Sequence, residues 1–325
     1  MRFSIRLNND LPVADYPALA RAAEAAGFDQ FWVSHDLFLR SSPVILTACA
    51  LATERIRLGT CILNPYTLHP AEIAMTAATL QEVSRGRFNL GLAAGASDFL
   101  GWVGIRQERP LARMRKVLVD LRRCLRGEPV EGWEPEAYLR VPVASDIPLY
   151  LGATSPGMLR LSGELADGAL PLLFPPEHLA TVKPLIEQGL TLSGRSPDDF
   201  DLAACIWCSV SADGSAAEEV MQDKIAYYGH ALSGYLRDRL RLDPSELDAM
   251  DDALQRRRDP ALARSLVTPD MLRIGIVGAP GVLIERLEML VELGARHLSF
   301  GPPLGPDPLA AIGLLGQWVL PHFRD

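Results

Sequence analysis

The sequence predicts a (β/α)8 TIM barrel, an α/β fold, on three observations. Eight short apolar or β-branched runs alternate with helical patterns, which calls for a parallel sheet with right-handed crossovers, and a closed barrel satisfies that pattern most economically. The chain has 325 residues and 48% hydrophobic composition, enough to bury a large core as one domain spanning 1–325. An open doubly wound sheet would carry a G-x-G-x-x-G turn after its first strand, and Leu7-Asn8-Asn9-Asp10 is not one.

The elements follow in order. Phe3 to Leu7 reads as a strand, and Asp15 then caps a helix with Pro17 in its first turn, apolar positions at Leu19, Ala22, Ala23 and Ala26, and a stop at Gly27. Phe31-Trp32-Val33 makes the second strand. A helix from about Val44 to Thr53, a strand over Ile56 to Leu63, a helix over Ala71 to Ser84 and a strand over Arg87 to Leu92 continue the rhythm. A long helix covers Leu111 to Arg126, and a connector of roughly 127–147 leads to the strand Leu149 to Leu151. Next come a helix near Met158 to Ala166, a strand over Gly168 to Leu173, a helix over Glu177 to Leu192 and a strand over Asp201 to Val210. Val282 to Leu293 has helical periodicity and closes at Gly294; His297 to Phe300 is the last strand, before a terminal helix to about Val319. Between Ser211 and Thr268 the sequence turns charged and helical, which reads as a helical insertion near strands seven and eight, either a solvated excursion, a lid or an oligomer contact.

Composition excludes several classes of function. A net charge of −8 with no basic cluster beside aromatics argues against a nucleic-acid surface and leaves small molecules as partners. No stretch reaches 18 uninterrupted apolar residues and Met1 to Arg6 carries no secretory pattern, so no membrane association and a cytoplasmic, soluble protein are expected. Five cysteines, an odd number mostly within apolar runs, suit buried thiols; Cys205-Ile-Trp-Cys208 lies in a strand, where positions i and i+3 face opposite ways, so core packing explains it better than metal binding. No zinc-ligand spacing and no G-x-S-x-G occur, and the three lysines fall in helical stretches, which removes a Schiff-base aldolase.

Barrel chemistry sits at the carboxyl ends of strands, where four clusters stand. Ser34-His35-Asp36 offers an acid/base or hydrogen-bonding pair, or a loop cap. Gly59 to Pro70, "GTCILNPYTLHP", runs a core strand directly into a polar residue, a proline and an aromatic, which suggests backbone forced out of regular geometry. Ala93 to Ser97, including Gly95, Ala96 and Ser97, lets a ligand approach the main chain. Thr154-Ser155-Pro156-Gly157 leads into a helix and could hold a phosphate or be a plain turn; Gly275 to Gly281 is a rival phosphate loop or a helix cap.

With these residues in view, the stretches "MRFSIRLNND", "FWVSHD", "RLGTCILNPYTLHPAEIA", "GRFNLGLAAG", "PLYLGATSPGMLRLSGELADGAL", "ACIWCSVSADGSAAEE" and "VGAPGVLIERLEML" through "FGPPLGPDP" together resemble the bacterial luciferase-like superfamily. Within it the chain is similar to the coenzyme F420 (deazaflavin) dependent reductases related to methylenetetrahydromethanopterin reductase. The resemblance implies a non-prolyl cis peptide joining Cys61 to Ile62, a bulge there that backs the cofactor ring, and Asn64-Pro65-Tyr66 locking the exit. It implies further that Gly95 to Ser97 line the cofactor, that Thr154 to Gly157 hold its phosphate, that His35 and Asp36 are catalytic, and that the chain forms a homodimer or higher homo-oligomer. Hydride would pass between the ring and a small-molecule substrate. An FMN-dependent monooxygenase on the same barrel is the alternative, and a cofactor-binding barrel without turnover the third reading. Three positions depart from the family: His35-Asp36 stands where Asp-His is common, Arg6 replaces a strand-one glutamate, and Ala96 replaces an acidic residue.

Overall fold

The computed structural model of the chain describes residues 1–143, 145–228, 237–238 and 241–324. Among them are nine strands: β1 Arg2–Leu7, β2 Gln30–Val33, β3 Arg57–Thr60, β4 Phe88–Leu92, β5 Leu149–Leu151, β6 Gly168–Ala169, β7 Asp201–Val210, β8 Ile276–Gly278 and β9 His297–Leu304. Contacts divide the chain into a larger unit, Arg2–Pro171 with Thr181–Ala203, and a smaller one, Leu172–Ala180 with Ala204–Asp325 and Met1.

In the larger unit every neighbouring pair from β1 to the start of β7 is parallel, with Ile5 opposite Phe31, Phe31 opposite Leu58, Leu58 opposite Phe88, Leu90 opposite Leu149, Tyr150 opposite Gly168 and Gly168 opposite Asp201. Parallel strands cannot be joined by tight turns, so helices carry the crossovers. The strands are buried along nearly their whole length, which is why the sequence shows apolar runs and no alternation. Helices Tyr16–Ala26, Ser42–Ala52, Pro70–Val83, Pro110–Leu125 and Pro156–Leu165 all carry proline in the first turn, where the missing N–H costs no intrahelical bond. Asp15 stands at the expected cap position, but its side chain makes no capping bond; its carbonyl accepts from Ala18 and Leu19 instead. Gly27 ends that helix with φ 89°, as expected.

Opposite the functional end of these strands, at their amino-terminal side, lies a polar hub. The Asp201 carboxylate accepts from Tyr150 Oη at 2.7 Å, Gln30 Nε2 at 3.1 Å and Arg2 Nη1 at 2.8 Å, and Trp32 Nε1 donates to Gln30 Oε1 at 2.9 Å. The hub ties β1, β2, β5 and β7 together through side chains. Burial, then the adjacent Asp201, push the Tyr150 hydroxyl above its ordinary pKa, so it stays a donor.

In the smaller unit β7 pairs with β8 through Cys208 opposite Ile276 and Val210 opposite Gly278. The sequence reads residues 275–281 as a cap or phosphate loop; the structure makes Ile276–Gly278 a short parallel strand that runs into the Pro280–Glu292 helix. Three apolar or glycine residues are too few to carry a strand signal of their own. Residues 229–236 and 239–240 of the expected 211–268 insertion lie outside the described residues. The rest is no solvated excursion. Helices Ser215–Tyr228, Pro244–Asp251, Pro260–Ser265 and Pro269–Leu272 bury Met221, Ile225, Leu247, Met250, Ala263 and Met271 in one cluster with Phe174 and Trp207. Cys205 and Cys208 are buried within β7. No helix among the described residues is long and apolar enough to cross a membrane.

Replacing Asp201 with alanine strands three donors at once. Each buried donor left unsatisfied costs about 1–3 kcal/mol and Arg2 is half exposed, so Asp201→Ala is expected to lower unfolding free energy by about 3 kcal/mol, read from the urea midpoint at unchanged slope.

Candidate functional site

The site forms at the carboxyl ends of β1 to β5 in the larger unit. At the tip of β3 the Thr60 hydroxyl donates to Gly91 O at 3.0 Å and accepts from Gly91 N at 3.1 Å. The backbones approach so closely that a Cβ on Gly91 would lie 2.0 Å from Thr60 O, so glycine is required there. The strand expected to continue to Leu63 ends at Thr60, because the chain then crosses over: Cys61 N donates to Val33 O on the β2 side, while Leu63 N donates to Gly91 O on the β4 side. Between them the Cys61–Ile62 peptide is cis, as the resemblance implies.

The exit is locked by side chains. Asn64 Oδ1 accepts from Tyr66 N at 2.9 Å, an Asx turn, and Asn64 O accepts from Thr67 and Leu68 amides. Tyr66 Oη donates to Glu108 O, and the Arg113 guanidinium stacks 4.4 Å above the Tyr66 ring while Nη2 donates to Pro65 O at 2.7 Å. The Asn64 amide lies against Gly95, whose φ of 74° and bare α-carbon leave room for it: a Cβ there would stand 2.1 Å from Asn64 Nδ2. Gln107 Nε2 holds the same loop by donating to the carbonyls of Ala94 and Gly95 at 2.9 and 2.8 Å.

After β2, Asn9 organises the next loop. It is fully buried; Nδ2 donates to Asp36 O and Arg40 O, and Oδ1 accepts from Ser34 Oγ and Asp36 N. Ser34 Oγ also lies 3.2 Å from the Asp36 carboxylate. His35 Nδ1 accepts from the Ser42 amide at 3.2 Å and sits 3.1 Å from Ser42 Oγ. An amide can only donate, so Nδ1 is unprotonated and the neutral ring carries its proton on Nε2. Burial lowers the His35 pKa, and the Asp36 charge opposes that only in part.

A cavity brings together His35, Asp36, Ile62, Asn64, Gly95 and Ala96, with Leu37, Thr67, Phe99 and Leu100. Cys61, Ser97 and the turn Thr154, Ser155, Pro156 and Gly157 are not among its walls. The tip of β5 nevertheless reaches the bulge: a Cβ on Gly152 would stand 3.2 Å from both Ile62 Cγ2 and Ala93 Cβ. Thr154, Ser155 and Pro156 are exposed, and Ser155 caps the Pro156–Leu165 helix by backbone conformation alone, leaving its hydroxyl uncommitted. Arg6 is buried within β1.

Asn9, Gln107 and Arg113 escape the sequence reading. Asn8-Asn9-Asp10 at the end of the first strand is a polar cluster of the same kind as the four singled out, and that was the available signal for Asn9. Gln107 and Arg113 act on residues 12 or more positions away and leave no local trace.

The profile of the luciferase-like monooxygenase family matches residues 1–297. The 5,10-methylenetetrahydromethanopterin reductase of Archaeoglobus fulgidus is 30% identical over all of both chains, and that of Methanopyrus kandleri 31% identical over 99% of each. The solved structure of the coenzyme F420 dependent tetrahydromethanopterin reductase from Methanopyrus kandleri superposes with a TM-score of 0.89 at 30% identity, covering 99% of either chain. The fold is an α/β TIM barrel of eight parallel strands with surrounding helices.

The lowered His35 pKa has a definite sign for stability. The unfolded chain takes up the proton first, so the contribution is fully present above the ordinary value of 6.5 and is lost as pH falls from there toward the folded value. Between about pH 7.5 and about 5.5 the wild-type Tm should fall more than that of His35→Asn, and 15N shifts of His35 at neutral pH should report the Nε2–H tautomer.

Proposed function

The chain belongs to the luciferase-like monooxygenase family, and we propose that it is a coenzyme F420-dependent oxidoreductase that passes a hydride between the deazaflavin and a small organic substrate. The observation that carries this reading is the wall made at the strand tips, where Ile62, Asn64 and Gly95 meet His35 in one cavity.

The chain's own groups fit such a cofactor. Ile62 and Asn64 offer an uncharged surface for a planar ring, with Cys61 joined to Ile62 but outside the cavity lining, and Gly95, Ala96 and Ser97 offer a stretch that is exposed and almost without side chain. Thr154, Ser155, Pro156 and Gly157 open a helix of ten residues, and the amides of Thr154, Ser155 and Gly157 with the uncommitted Ser155 hydroxyl suit a phosphate. When bound, F420 supplies a two-electron hydride donor or acceptor, so the protein's task is orientation and exclusion of water.

His35 lines the cavity, where its Nε2–H would serve as a neutral donor to a carbonyl or imine; the ring resists taking a proton, since protonation would break the Ser42 bond at Nδ1. Asp36, oriented through Ser34 and Asn9, places the carboxylate of the site beside it. The reversed order His35-Asp36 thus puts both side chains on the cavity. Self-association as a homodimer or higher homo-oligomer is part of the proposal on family resemblance.

Titration of the purified protein with F420 and with FMN, followed by absorbance and fluorescence, tests the reading: F420 should bind and FMN should not compete, and tight FMN binding without F420 binding would overturn it. Asn64→Leu removes the Asx turn and should weaken F420 binding by roughly tenfold, about 1.4 kcal/mol; unchanged affinity would move the ring elsewhere. Ser155→Glu sets a carboxylate against the phosphate and should weaken binding by roughly tenfold or more, with the loss reduced by salt.

A further inference from the structure

Beside the cavity the chain exposes aromatic surface that the cofactor wall does not use. Phe38 is 73% exposed and Trp102 66% exposed, far more than an isolated apolar side chain needs to be. They are not scattered. Phe99 lines the cavity, Trp102 lies against it with ring centroids 4.7 Å apart, and Phe38 approaches Trp102 at 6.5 Å with the planes tilted 36°. Three rings, two from the short helix Ser97–Trp102 and one from the loop after β2, form one shelf that begins in the cavity wall and runs outward.

The outer ring is held there by construction. Phe38 has φ 66°, a left-handed conformation that disfavours a bulky side chain. It sits at the apex of a loop whose two ends, Asp36 O and Arg40 O, are both bound by the buried Asn9 amide. The Asn9 clamp holds the main chain on either side of Phe38, whose exposed ring stands beside Trp102.

The charge of the cavity limits what can lie on the shelf. Among its lining residues Asp36 is the one carboxylate and no lysine or arginine occurs. An anionic group at the reacting end would face that carboxylate with no counterion, whereas an uncharged ring meets apolar and aromatic walls on both sides.

We propose that Phe38, Phe99 and Trp102 are the specificity platform for an uncharged aromatic portion of the substrate, so that the carbon exchanging hydride is attached to an aryl group. This rests on the F420 reading and names the substrate class of that same site.

The test is binding of three probes to the F420-loaded enzyme by isothermal titration calorimetry: 2-naphthaldehyde, the anionic 2-naphthoate, and the non-aromatic cyclohexanecarbaldehyde. The wild type should prefer 2-naphthaldehyde to both. Trp102→Ala and Phe38→Ala should each weaken 2-naphthaldehyde by roughly tenfold, change cyclohexanecarbaldehyde by less than about threefold, and leave F420 affinity unchanged, while Trp102→Phe restores most of the loss. Equal affinity of wild type and both alanine variants for 2-naphthaldehyde would overturn the proposal, as would preference for 2-naphthoate. Sedimentation of the same variants supplies the remaining outcome: loss of self-association with probe affinity unchanged would assign the shelf to a second copy of the chain and overturn it. F420 affinity is measured separately, so a protein that takes up no F420 defeats the cofactor reading alone, and the same three-probe comparison on the cofactor-free protein still decides the shelf.

Discussion

The approach of two main chains at Thr60 and Gly91 is the constraint on which the site depends. A threonine hydroxyl that both donates to and accepts from one glycine leaves no space for a side chain at position 91. With β3 held that close to β4, the chain beyond Thr60 can leave the β2 side and bond Gly91 O through Leu63. Asn64 then falls against Gly95, and the Asx turn, the Tyr66–Arg113 stack and the Gln107 bonds fix the loops that follow. Each later contact presupposes the earlier one, so the cavity wall inherits its position from a backbone contact.

The electrostatics of the cavity suit positioning more than proton transfer. His35 is kept neutral by burial and by the Ser42 amide at Nδ1, which leaves Nε2 as the donor of the ring. Asp36 is oriented from behind by Ser34 and Asn9. The groups suited to an anion lie apart from these, at the exposed turn before the Pro156–Leu165 helix. On the proposed reading, a cofactor that brings its own redox chemistry would use this division as an uncharged wall for the ring and a separate anchor for its phosphate. The absence of lysine and arginine from the cavity lining is the ground for proposing that the adjoining Phe38–Trp102 shelf takes a neutral ring.

Much of the architecture was legible in the chain. Strands buried on both faces appear as unbroken apolar runs, and many helices in this protein announce themselves with proline at the first turn, the first of them also with Gly27 after its last. His35, Asp36, Ile62, Asn64, Gly95 and Ala96 were found as strand-end residues and do share one cavity. Other features, Gln107 and Arg113 among them, were not legible. Asn9 acts on residues 27 and 31 positions away, and its role exists only once β1 and β2 are paired. The helices after β7 look solvated because their charges dominate the composition, while the few apolar positions that pack on Trp207 are spread over four short segments. Phe38 and Trp102 read as ordinary apolar residues until their exposure is seen.

Most of the order of strands and helices and the residue types at the strand tips follow from the sequence alone, because they depend on neighbours within a few positions; the short strand Ile276–Gly278 and the short helix Ser97–Trp102 do not. Which of those tips converge, which tautomer His35 adopts, and which aromatics face outward were decided by tertiary structure, because each is set by hydrogen bonds or ring contacts between segments brought together only when the parallel sheet forms.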